Sequence, residues 1–235
     1  MRKYWPSTVS ASFAPWQRPG IQELGLRTIS RYIESLVVDR AEVKNRLPAA
    51  ENTSTTPRAV LADLKQAQAA LLRRLAKMRR ETMKLVQAEA ALRERFALLV
   101  SVPGIAEISA LQILSELVLL PPGMTVRQWV AYSGLDPMHQ VSGSSVHKPS
   151  RISRAGNRHL RRALYMPTLP AVRYDPHMRA FYQALRERHE TGLQALMAVT
   201  RKLLHAIYGI FKCGMPYDGR RLFPQIQLAV ESIAG

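Results

Sequence analysis

The sequence predicts a mainly α-helical protein: a long coiled-coil helix, then a compact helical domain with a helix-hairpin-helix-like element and at most a small β-hairpin. Apolar residues recur at three-four spacing over residues 61–99, which is a heptad seam. Shorter helical faces mark residues 21–47, 111–118 and 193–213. No alternation of helical segments with β-branched strands is visible, which leaves room for at most a small hairpin near residues 138–153. With 235 residues, 47% of them hydrophobic, the chain can bury a sizeable core.

Residues 1–20 hold Pro6, Pro15, Pro19 and Gly20 and read as an extended lead-in. From Ile21 to Leu47 the apolar positions predict one helix, kinked near Gly25 and ending before Pro48. Residues 48–57 are polar and turn-rich, with Thr56 as a cap and Pro57 at the next helix start. The seam then runs Leu61, Leu64, Gln68, Leu71, Leu75, Met78, Thr82, Leu85, Glu89, Leu92, Phe96 and Leu99, flanked by Arg73, Arg74, Lys77, Arg79, Arg80 and Lys84. A stripe this narrow on so long a helix calls for a partner helix, so dimerisation through a coiled coil is expected; packing on its own domain is the bland alternative. Val102-Pro103-Gly104-Ile105 separates two helical runs in the manner of a helix-hairpin-helix, where backbone N–H groups meet phosphate. Trp129, Val130 and Tyr132 form a short helix stopped by Gly134, and residues 141–156 form a loop or hairpin. Helices over 159–188 and 193–213 close the domain, the last ended by Gly214.

Lys and Arg number 34 against 17 Asp and Glu, a net charge of +17, which favours a polyanionic partner. The apolar stretches Leu111 to Leu120 and Leu203 to Phe211 are interrupted and too short to span a bilayer, and residues 1–6 do not lead into a signal-type apolar region. The single cysteine, Cys213, excludes an internal disulfide and fits a reducing cytoplasm. The strongest basic cluster is Lys148, Arg151, Arg154, Arg158, Arg161 and Arg162, with no acidic residue between Asp136 and Asp175. Arg158, Arg161 and Arg162 share one helical face, and guanidinium forks suit phosphate. Gly104 is the candidate phosphate contact of the helix-hairpin-helix turn. Ser142-Gly143-Ser144-Ser145 is a flexible turn by composition; beside a phosphate-binding face its hydroxyl gains a second reading, attack on phosphorus. The six histidines show no metal-ligand spacing, and no two aspartates suggest a shared divalent site.

Leu99-Val100-Ser101-Val102-Pro103-Gly104-Ile105, Gly134-Leu135-Asp136-Pro137, Ser142-Gly143, Arg151-Ile152-Ser153-Arg154-Ala155-Gly156-Asn157, Leu160 to Pro167 and Arg201-Lys202-Leu203-Leu204 stand in the order and spacing of one known family. They resemble the C-terminal domain of insertion-sequence 110/116/902 family transposases. Trp16, Pro19, Leu24 and Asn45-Arg46-Leu47 look like the tail of that family's first domain. The resemblance implies a DNA recombinase in which Ser142 is the nucleophile that forms a phosphoserine link to DNA. It also implies a RuvC-like partner domain whose acidic residues bind Mg²⁺ and, in some members, a guide-type RNA. It divides the chain into 1–56, the tail of the RuvC-like domain; 57–98, the coiled coil; and 99–235, the C-terminal transposase domain. Two departures stand out: Ala106 replaces the turn's second glycine, and the family's acidic residues have no counterpart. The expectation is a truncated transposase that keeps the serine half of a composite site; the alternative is a catalytically silent DNA- or RNA-binding module that dimerises with full-length transposase.

Overall fold

The computed structural model describes residues 19–138, 141–142, 146–147, 151–153, 155–188 and 191–222. Among them the order is α1 (Ile21–Glu51), α2 (Arg58–Ala88), α3 (Ala90–Val100), α4 (Glu107–Leu117), α5 (Val126–Ser133), β1 (Pro137–Met138), β2 (Val141–Ser142), β3 (Val146–His147), β4 (Arg151–Ile152), α6 (Arg158–Tyr174), α7 (Pro176–Glu187), α8 (Gly192–Cys213) and α9 (Gly219–Leu222). Among the described residues the chain is mainly α, and its strands form two short antiparallel ladders, β1 with β4 and β2 with β3, together called the arm, where a hairpin was expected.

The heptad seam finds its partner within the chain. Leu71, Leu75 and Met78 of α2 pack against Ile29, Ile33, Leu36 and Val43 of α1. Lys65 reaches Glu51 near the connection and Arg74 reaches Tyr32 farther along, so the two helices run antiparallel as a hairpin. Each fully buried leucine here contributes about 2 kcal/mol by removal from water. Every seam position from Leu61 to Leu99 is at least half-buried.

Several expected boundaries move for identifiable reasons. Helix α1 runs without interruption through Gly25 and past Pro48 to Glu51. Pro48 and Lys44 are exposed, so the carbonyl that the missing proline N–H leaves open lies on a solvent-facing stretch of the helix, while Asn52 N donates to Pro48 O at 3.0 Å. Pro57 itself, rather than Thr56, is the N-cap of α2. The long helix breaks at Glu89, whose backbone is extended at φ −119° and ψ 124°. Val86 and Leu92 both enter the main core; six positions apart, they would face well away from each other on one straight helix. The break lets both sides of the bend bury. The expected 159–188 helix is two, because Asp175 turns extended and caps α7, accepting from His177 N at 2.8 Å and Met178 N at 3.2 Å.

The main core gathers α3, α4, α5, α6, α7 and α8 around Leu99, Ile113, Leu114, Leu160, Leu164 and Leu203, all fully buried. Trp129 of α5 meets Tyr208 of α8 edge-on at 5.2 Å. Thr125 and Gln128 form a capping box on α5, Thr191 and Gln194 another on α8, and left-handed Gly134 and Gly214 end those helices. Between α3 and α4, Gly104 has φ +91°, and a Cβ there would lie 2.5 Å from Pro167 O and 2.7 Å from Ala171 N. That glycine is demanded by the crossing of α6 as well as by its own backbone. After the last helix turn, Tyr217 donates its hydroxyl to Asp175 Oδ2 and its N–H to Ser101 Oγ at 2.9 Å, tying the C-terminal segment to the α3 and α7 ends. Burial and then the Asp175 bond push the Tyr217 phenol far above its ordinary range.

Candidate nucleic-acid interface

The arm starts where α5 ends and returns where α6 begins. Strand β1 pairs with β4, Pro137 opposite Ile152 and Met138 opposite Arg151; β2 pairs with β3, Val141 opposite His147 and Ser142 opposite Val146. Three positions separate the two ladders on the outgoing side and four on the return, so the register slips by one residue between them. The root of the arm is clamped. Ser153 donates its N–H to Asp136 O at 2.9 Å and its hydroxyl to Asp136 Oδ1 at 2.8 Å. Asn157 N donates to Tyr132 O at 2.6 Å, and Gly156 sits so close to that carbonyl that a Cβ would be 2.4 Å from it.

Beside the root, α6 presents its first turn to a groove of about 680 Å³ walled by α1, α2 and α4. Arg31, Arg79, Arg158, Arg161 and Arg162 line it, with Ile152 from the arm and two carboxylates, Glu34 and Glu116. Glu116 is buried on α4 and accepts from Arg31 Nε at 2.8 Å, Arg31 Nη2 at 2.9 Å and Asn157 Nδ2 at 2.6 Å. Burial pushes its carboxyl up, but the Arg31 and Asn157 bonds outweigh that and hold it below the usual carboxylate range. The same pairing pushes the Arg31 guanidinium up. Asn157 is the joint of the arrangement: Nδ2 also donates to Tyr132 Oη at 2.8 Å, while Oδ1 caps α6 through His159 N and Leu160 N. Glu34 of α1 accepts from Arg162 Nη1 at 2.9 Å and bonds the His159 ring at Nδ1.

Of the residues singled out in the sequence, Arg158 and Arg162 stand exposed at the groove, and Arg161 is half-buried with Nη1 donating to Ser133 O at 2.8 Å. The three therefore do not project alike: one braces the α5 end, one is held by Glu34, and Arg158 is exposed with its Nε 3.5 Å from His159 Nε2. Gly104 lies under α6, its Cα face occupied. Ser142 is the last paired residue of β2 before residues 143–145, and Arg151 opens β4; the side chains of both fall outside the described residues. Lys148 and Arg154 also lie outside the described residues. Sequence reasoning missed Arg31, Glu34, Arg79 and Glu116. Glu34 meets Arg162 across 128 positions, which no local pattern reports. Glu116 did leave a signal, a lone carboxylate among Leu111, Ile113, Leu114 and Leu117.

Among the described residues, no group of three or more His, Cys, Asp or Glu converges as a cation site. The groove's two carboxylates do not fit Mg²⁺ either, since each already accepts from an arginine and from a second nitrogen donor. No helix of the described residues is long and apolar enough to cross a membrane.

The α-helical body thus carries an arginine-lined groove at the root of a serine-bearing arm. Residues 96–183, from α3 into α7, match the model of the Transposase IS116/IS110/IS902 family. It is 31% identical over 138 residues to a pilin gene-inverting protein of Moraxella bovis, covering 58% of this chain and 42% of that protein. A pilin gene-inverting protein of Moraxella lacunata is 32% identical over 141 residues, with the same two shares. The "Insertion element IS110 uncharacterized 43.6 kDa protein" of Streptomyces coelicolor (strain ATCC BAA-471 / A3(2) / M145) is 31% identical over 96 residues, 41% of this chain and 24% of that protein. The chain thus spans less than half the length of the curated relatives it matches.

Proposed function

We propose that the chain is the DNA-binding, serine-bearing part of an insertion-sequence transposase, and that it acts in strand exchange together with a metal-bearing RuvC-like part. The observation that carries this reading is the family match over residues 96–183, which contains the arm, its clamped root and the first turns of α6. Arg158 and Arg162 are read as backbone-phosphate contacts, joined by Lys148, Arg151 and Arg154, which precede them in the sequence. Arg161 supports the arm by bracing Ser133. Ser142 is read as the nucleophile: its Oγ bonds to phosphorus, the bridging phosphoester bond of the DNA breaks, and the proton from serine ends on the departing strand's oxygen. Mg²⁺, held by the RuvC-like part, would supply charge stabilisation for that step.

Self-association and a guide RNA belong to the same proposal. Tyr32, Val38, Val60 and Leu72 are exposed apolar positions of the α1–α2 hairpin that a second copy would cover. A net charge of +17 accommodates RNA as readily as DNA. The neutralised carboxylates of the groove favour one further reading, in which this chain alone binds nucleic acid without cutting it.

The two are separated by incubating the chain with nicked element ends and a relative that retains its acidic site but lacks its serine. A covalent protein–DNA adduct that Ser142→Ala abolishes is the expected result. An adduct of equal yield from the Ala variant removes Ser142 as nucleophile, and inhibition with no adduct leaves the silent module.

A further inference from the structure

The groove beside the arm has a wall that neither the motifs nor the family match assigns, because that wall is α2. Arg79 reaches into the groove from α2, and its Nε is buried with no hydrogen-bond partner. Burying a guanidinium N–H without an acceptor is unfavourable, and an anion seated in the groove would supply one. Across the groove, the Glu34 carboxylate lies on the first turn of α6, bonded to Arg162 and His159. Glu34 is itself an anion, presented by another helix to the cationic side chains of α6.

A second depression, of about 440 Å³, adjoins the first and shares Arg31, Glu34, Arg158, His159 and Arg162 with it, ending at Asp39. The two depressions meet at Arg31, Arg158 and Arg162, so an anion seated beside these arginines has room to continue on either side, as a phosphate within a chain does. We propose that this groove holds a nucleic-acid backbone phosphate between Arg79, Arg158 and Arg162, and that Glu34 is its built-in competitor, occupying Arg162 until the nucleic acid displaces it. This rests on the nucleic-acid reading above but adds to it the α2 wall and a carboxylate that binding must dislodge.

The test is fluorescence anisotropy with two labelled probes, a duplex DNA and an RNA hairpin, titrated across salt concentrations. Arg79→Gln should weaken binding to the correct probe about fivefold whatever its sequence and lower the salt slope by about one. It should leave Tm unchanged or raised, since it removes an unpaired buried N–H. Arg79→Lys should keep most of the slope. Glu34→Gln should tighten binding severalfold and steepen the slope. Arg46→Gln, exposed on α1, paired with Glu42 and lining neither depression, is the control. The probe whose affinity falls with Arg79→Gln identifies the nucleic acid. If the wild type binds and Arg79→Gln behaves as Arg46→Gln does on both probes, this proposal fails while the functional reading stands. A folded Glu34→Gln that binds more weakly overturns the competitor role. A wild type with no salt-dependent binding to either probe overturns both.

Discussion

Gly104 carries two requirements, and only one of them shows in its own sequence neighbourhood. Val102-Pro103-Gly104-Ile105 announces a turn, and the positive φ follows; the approach of Pro167 and Ala171 does not, because those residues lie more than sixty positions away. The phosphate role read from the motif therefore competes with a packing role that explains the glycine by itself. Gly104→Ala should cost at least about 3 kcal/mol, from the disfavoured backbone plus a backbone clash that α6 cannot relieve by a rotamer change. A thermal melt that leaves Tm within a degree of wild type would show that α6 yields there. The arginines give the complementary lesson. Arg158, Arg161 and Arg162 were legible as a cluster from spacing alone, but their separate fates depend on Ser133 and Glu34, which only the folded chain brings to them.

Helix ends were legible where the signal is local. The glycines at 134 and 214 end α5 and α8 as their sequence neighbourhoods announce, and the starts are set by equally local bonds, Thr125 with Gln128 and Thr191 with Gln194, which went unread. Ends set by distant packing were not: α1 continues past Pro48 because that proline faces water, and Glu89 breaks a seam that reads as uninterrupted. The arm was legible as a polar, Ser-rich interval, while its clamp was not. Gly156→Ala tests that clamp, since its Cβ would displace Tyr132 O and break the Asn157 N–H bond beneath the arm. A loss of about 2 kcal/mol is expected, together with faster hydrogen exchange at Ser153 and Asn157. Unchanged exchange at those amides would mean that the root is held by Asp136 alone.

Across the molecule, Glu116 is the point where three regions meet, because Arg31 comes from α1, Asn157 from the foot of the arm and Glu116 from the centre of the domain. Its lowered pKa fixes the sign of the pH dependence. A carboxyl more acidic in the folded state stabilises the fold fully above its ordinary value of 4.5, and that contribution is lost as pH falls through the lower folded value. Glu116→Gln should flatten this acid limb of a Tm-against-pH curve and cost about 2 kcal/mol at neutral pH, less than a fully buried pair because Arg31 is 39% exposed. An acid limb identical to wild type would place the titration elsewhere.

The bend at Glu89 and the pairing of Arg31 with Glu116 together decide how this protein could be recombined with its kin. A chimaera spliced at the bend would seem natural, since one helix ends there and another starts. Such a graft would nonetheless import a foreign α1 against the resident α4, and unless that donor carried a cation at position 31 the resident carboxylate would be left buried with only an asparagine for company. The working boundary between exchangeable parts therefore lies in the side-chain network rather than at the visible break in the backbone.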